Sequence, residues 1–253
     1  MLGPLQKTRV MTQYLSIITA YGAVAILAWL AALLYPRLIP ASAISGRAKR
    51  SHRIAAFGGA CLAAFALEYA RRSSLLFDNA STLLDASNQL IVFLPFLAYI
   101  ALFGGRGAAL IPQTNLLRSL AIGICLAILA LAAFVSSASL SAELPALARS
   151  LLQAEIAVVM LKTMLQGLAV AAFLALVADG WSVRVALALA ALAIAIMHVP
   201  ILFESGFSVK WLGTLLLNLA IGLGLLSAVL ATRNIVWFLP VYAMMTLAQT
   251  HLD

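Results

Sequence analysis

The sequence predicts an all-α fold, a polytopic transmembrane helix bundle of about eight spans, and three observations carry that prediction. Charge is scarce: 9% of the 253 residues are Asp, Glu, Lys or Arg, against 64% hydrophobic. Mean hydropathy is +1.08. Apolar runs are long: residues 13–35 hold no Asp, Glu, Lys, Arg or His, more than the roughly 20 residues that cross a bilayer core. Backbone in lipid must satisfy its own hydrogen bonds, and the Ala- and Leu-rich runs lack the alternation of a barrel strand.

The first span is placed at 12–35, closed by Pro36 and Arg37. It is too long for a signal-peptide core, and the small-x-small site Ala41-Ser42-Ala43 lies well past its end. The second, 54–70, runs from a basic loop to Arg71-Arg72. Residues 73–89 form the most polar stretch, with Asp78, Asn79, Asp85, Asn88 and Gln89, and read as an outer loop carrying at most a short interfacial helix. Its Asn79-Ala80-Ser81 is a formal glycosylation sequon, without meaning in a bacterium. The third span, 88–105, ends at Gly104-Gly105, and Gly107 and Pro112 mark the connection onward. Four further spans follow at 117–139, 150–178, 183–203 and 211–231, and a last at 234–251. All of 1–253 is one integral membrane domain, with no stretch left for a soluble one.

The net charge of +8 does not indicate nucleic acid. The cations lie between apolar runs, with no basic domain and no aromatic platform. They fit the positive-inside rule and anionic lipid headgroups. The first loop is the most basic, with Arg37, Arg47, Lys49, Arg50 and Arg53 beside His52. Placed in the cytoplasm, it brings Arg106, Arg118, Arg184 and Arg233 to the same side, nine cations against six outside. The expected location is the bacterial inner membrane. Cys61 and Cys125 lie within apolar runs and read as small packing residues.

Ionisable residues inside a membrane are expensive and mark function. The fifth span carries Glu155, Lys162 and Gln166 at spacings of seven and four. At about 100° per residue they fall within about 20° of one direction, a single polar stripe. It is either a site facing the bundle interior or a surface glutamate with a snorkelling lysine. His198, in Ile194-Ala195-Ile196-Met197-His198-Val199-Pro200, is open to three readings: hydrogen-bonded packing, a catalytic or metal site, or an axial ligand to a pigment or haem. Thr214, Asn218 and Gly222 share a stripe of the seventh span that suits close helix packing, and Asn218 is within reach of His198 in such a bundle. Glu68, Glu143, Asp179 and Glu204 read as interfacial or turn residues. No phosphate loop, nucleophile elbow or His-Glu-x-x-His occurs. No metal site and no cofactor are expected.

The C-terminal part, about 150–253, resembles the CAAX protease and bacteriocin-processing (CPBP) family of intramembrane proteases. The likeness runs through Lys162-Thr163-Met164-Leu165-Gln166-Gly167, the run ending at His198-Val199-Pro200, the Gly-rich seventh span and Asn234-Ile235-Val236-Trp237. The family's glutamate pair falls here on Leu161 and Lys162, its arginine on Gln166, and its following glycine is Gly167. The histidine of its second motif matches His198, with Ile194 at the Phe position; its third motif falls on Ala243 and Leu247. The resemblance therefore implies a degenerate member, a pseudoenzyme that keeps one ionisable catalytic position.

The leading expectation is a non-catalytic accessory or assembly subunit. It would bind a membrane protein partner in a polar cleft between spans five, six and seven. The first alternative is an intramembrane hydrolase using Glu155 and His198. The second is a pigment-binding or transport subunit, although no inverted repeat is present.

Overall fold

A computed structural model describes residues 4–43, 48–73, 75–77, 81–138, 153–193 and 209–252, with the isolated positions 145 and 149. Every regular element among them is helical. The helices are α1 (Pro4–Leu34), α2 (Arg50–Arg72), α3 (Thr82–Tyr99), α4 (Leu116–Ala138) and α5 (Ala154–Ala178). They continue with α6 (Val183–Ala193), α7 (Val209–Thr232) and α8 (Phe238–Leu252). A π-helical turn at Ile100–Gly104 and a 3-10 turn at Gly105–Ala109 continue α3. Among the described residues, six helices, α1 to α5 and α7, are long and apolar enough to cross a membrane, and the apolar stretches of α6 and α8 are shorter.

Two expected boundaries move for local reasons. The polar stretch 73–89 is not a loop to its end: α3 already begins at Thr82, so Asp85, Asn88 and Gln89 are helical. The Ser81 hydroxyl accepts from Leu84 N at 3.3 Å and caps this start. The last helix begins at Phe238, because Asn234 holds the preceding residues in a turn.

The helices form a connected row. α7 packs on α1, α1 on α4, α4 on α8, α8 on α5, α5 on α3 and α3 on α2. The main core lies where α1, α4, α5 and α8 meet, with Ala20, Val24, Ala130, Phe134, Leu174 and Val241 buried. Alanines at these contacts let the backbones approach, which is how helices gain packing in lipid. A smaller cluster joins α2, α3 and α5 around Ala60, Tyr99 and Ala172, with Phe57 edge-on to Tyr99 at 5.3 Å. Leu33, Leu62, Phe65 and Leu94 remain exposed, as lipid-facing side chains would be. Cys61 and Cys125 are exposed as well, so they face outward rather than fill the bundle as the sequence suggested.

The connections on one side of the bundle are tied together. Asn234 Nδ2 donates to Pro40 O at 2.7 Å and to Ser119 Oγ at 2.8 Å. Ser42 N donates to Arg233 O, and Ile235 N donates to Leu110 O. Arg233 closes α7 in the left-handed region, φ 49°, and Asn234 N reaches back to Val229 O at 3.3 Å. Trp237 is fully buried beneath this knot, and its indole donates to Thr232 Oγ1 at 2.9 Å. Gly123 makes room for it: a Cβ there would lie 2.5 Å from the Trp237 carbonyl oxygen. Arg53 at the start of α2 pairs with Asp179 in the turn after α5, on this same side. The sequence's basic loops thus belong to one end of the molecule.

Candidate functional site

The opposite end carries a polar groove. α3 and α5 both begin there, each with a carboxylate in its first turn, Asp85 and Glu155. That placement suits the positive end of a helix dipole. The groove, about 530 Å³, is lined by Arg71, Ser81, Thr82, Asp85, Gln89, Glu155, Val158, Val159 and Lys162. Its walls are the end of α2 and the opening turns of α3 and α5. Lys162 sits seven residues beyond Glu155, roughly 10 Å deeper along the axis. The groove therefore reaches from the end of the bundle into the span.

Its charges are both positive and negative, and they are not equally committed. Arg71 is held by Glu68, Nε to Oε2 and Nη2 to Oε1, both at 2.8 Å, and Arg72 Nε adds a third bond to Glu68 at 3.0 Å. Gln89 Nε2 donates to Asp85 Oδ1 at 3.3 Å. Asn88, buried behind them, donates to Phe77 O at 2.8 Å and draws the segment 75–77 onto α3. Among the described residues, no ion pair or hydrogen bond from another side chain engages Glu155 or Lys162. Both are exposed to the groove.

Of the residues singled out in the sequence, Glu155 and Lys162 come together on this surface. Gln166 is half-buried one turn further on and does not line it. Glu155 and Lys162 line the groove with residues of α3, and the cleft expected between spans five, six and seven falls partly on residues outside those described. His198 lies outside the described residues, as does the side chain of Asn218 on α7. The positions matched to the CPBP motifs divide between two faces. Gly167 packs against the Leu239 side chain of α8, and Ala243 and Leu247 are buried in the core. Among the described residues, no three His, Cys, Asp or Glu side chains are grouped to hold a metal ion.

Sequence reasoning missed the opposite wall. Ser81, Asp85 and Gln89 recur every four residues, the same helical signal as the stripe on α5, but it was absorbed into a supposed loop. The Arg53–Asp179 pair was also missed. Nothing local links residues 126 positions apart. No family model, curated protein or solved structure matches this chain.

Proposed function

We infer that the protein is a non-catalytic, CPBP-like integral membrane subunit that binds a polar segment of a membrane partner in the groove between α2, α3 and α5. The observation that supports this reading is the groove itself. It presents both signs of charge at a bundle end, with Lys162 and Glu155 uncommitted among the described residues. An exposed ammonium about two turns inside a span is costly alone. A carboxylate or a row of carbonyls from a second chain compensates it, and Glu155 and Asp85 nearer the rim receive that chain's donors. In this arrangement the basic end faces the bacterial cytoplasm and the groove opens outward. Such a subunit serves assembly or stabilisation of a larger complex and performs no chemistry of its own.

The test is native mass spectrometry of the chain extracted in mild detergent from its own host. The expected result is a defined hetero-complex. Lys162→Glu should dissociate it at least tenfold more readily, while Leu129→Ala on the lipid face leaves it intact. Extraction without a stoichiometric partner overturns the reading. So does a partner indifferent to Lys162→Glu. Loss of a proteolytic activity in Glu155→Gln would transfer the groove to the hydrolase alternative.

A further inference from the structure

We propose that the basic end of the α2–α3 pair is a binding site for one anionic phospholipid, with its phosphate on Arg50 and Arg53 and an acyl chain in the crevice beside Tyr99. It is distinct from the polar groove and does not depend on the function proposed for it.

Three observations converge. The first is a surplus of guanidinium donors. Lys49, Arg50 and Arg53 lie within one turn at the start of α2, and among the described residues the carboxylate paired with this cluster is Asp179, on Arg53. Arg53 is 4% exposed and gives Asp179 only an Nη2 bond, so its Nε is buried without an acceptor. Arg50 Nε and Nη2 are buried without acceptors as well. Buried donors are almost always satisfied by protein, water or a bound group. Arg50 is also fixed in place: its guanidinium lies over the Trp181 ring at 4.4 Å. Gly180 leaves it room, since a Cβ there would overlap the guanidinium. A guanidinium held over a ring with donors left unpaired is pre-set for a phosphate.

The second is a crevice of about 240 Å³ adjoining this cluster. It is lined by Ala56, Gly59, Ala60 and Ala63 of α2, with Pro95, Ala98, Tyr99, Leu102 and Phe103 opposite. It begins one turn beyond Arg53 and runs roughly 10 Å up α2. A Cβ on Gly59 would meet nothing within 4 Å, so this wall is hollow. The apolar lining suits an acyl chain, and the length along α2 matches the chain's first several methylenes.

The third is Tyr99. Its side chain lines the crevice, it is 2% exposed, and its hydroxyl is buried without a partner. A hydroxyl at the junction of cationic rim and apolar crevice meets the ester region of a phospholipid, between phosphate and chain. Basic pockets between spans on the cytoplasmic side hold anionic headgroups in this way.

The experiment is native mass spectrometry of the full-length protein in a delipidating detergent, titrated with phosphatidylglycerol or phosphatidylcholine. Phosphatidylglycerol should bind at least tenfold more tightly, as one tightly held lipid per chain. Arg50→Ala should remove that preference. Gly59→Leu should fill the crevice and weaken phosphatidylglycerol at least tenfold while leaving the fold intact, because the added side chain enters empty space and glycine is the poorer helix former. Equal binding of the two lipids overturns the proposal. Phosphatidylglycerol affinity unchanged by Gly59→Leu also overturns it, since the arginines would then act only as a diffuse basic surface. Should Arg50→Ala fail to accumulate, Arg53→Lys, which keeps the charge but not the guanidinium fork, should weaken phosphatidylglycerol at least tenfold, and undiminished binding in that variant overturns the proposal.

Discussion

At the scale of single residues, stability concentrates in polar groups that tie distant loops together. Asn234 is fully buried and its amide serves three partners: Pro40 O, Ser119 Oγ and the Val236 amide at 2.8 Å. Replacing it with Ala strands Pro40 O and the Val236 amide, leaving Ser119 Oγ its bond to Asn115 O, and a buried polar group left without a partner costs about 1–3 kcal/mol. Asn234→Ala should therefore lose about 3 kcal/mol, read as a fall in the thermal midpoint in detergent, and Asn234→Asp should lose at least as much, because a carboxylate has no donor for Pro40 O. Arg53 and Asp179 behave differently. Arg53 is buried whereas Asp179 is exposed, so the charge that cannot be left alone is the guanidinium. Stranding a buried charge costs about 3 kcal/mol or more. Asp179→Leu should destabilise strongly, whereas Asp179→Leu with Arg53→Leu should recover most of the loss. A double variant no better than Asp179→Leu alone would show that the stranded guanidinium is not what makes that variant costly. Neither link was legible in the chain. Asn234 read as one polar residue at a helix boundary and Asp179 as a turn residue, because their partners lie 115 and 126 positions away.

At the scale of elements, hydropathy located the long helices but misjudged where polar residues begin one. α3 opens with Ser81, Asp85, Asn88 and Gln89, a composition that reads as a loop when only apolar content is counted. Read by spacing, it is a capped helix with one polar face. Ser81 is the cap, and losing an N-cap hydroxyl costs about 1 kcal/mol. Ser81→Ala should raise hydrogen exchange at the amides of residues 82–85 without changing exchange in α5, and Ser81→Asp should restore protection. Unchanged exchange in Ser81→Ala would mean that α3 is held by its contacts with α2 and α5 alone. α8 was misjudged in the other direction. Its 15 residues rise about 22 Å, short of a hydrocarbon core of about 30 Å. The sequence extended it back to Asn234 because Ile235, Val236 and Trp237 are apolar. Their backbones turn instead, and Trp237 pins the turn against Gly123. Gly123→Ala should lose about 2 kcal/mol by overpacking, a cost that composition alone does not foretell.

At the scale of the whole molecule, charge sorts the two ends. One end gathers Arg37, Lys49, Arg50, Arg53 and Arg233 with their connections tied by Asn234. The other opens the groove of Glu155, Asp85 and Lys162. The fold class was legible because lipid leaves a chain few choices. The candidate site was half legible, because one wall was a clear stripe and the other was hidden in a misread loop. Orientation decides which compartment each end meets, and it can be measured directly. The two native thiols, Cys61 and Cys125, are replaced by Ala first, since both are exposed. Single cysteines are then placed at Ser73, beyond α2 on the groove end, and at Thr114, between α3 and α4 on the basic end; both positions are exposed. With a membrane-impermeant maleimide on spheroplasts, Ser73→Cys should label at once and Thr114→Cys only after permeabilisation. That outcome sets the arginines against the anionic cytoplasmic leaflet, where each cation near the surface gains about 1 kcal/mol. The reverse pattern would point the groove at the cytoplasm, and its partner would have to be sought there. Labelling of both positions from one side would contradict the row of helices itself, since α3 would then have no membrane to cross.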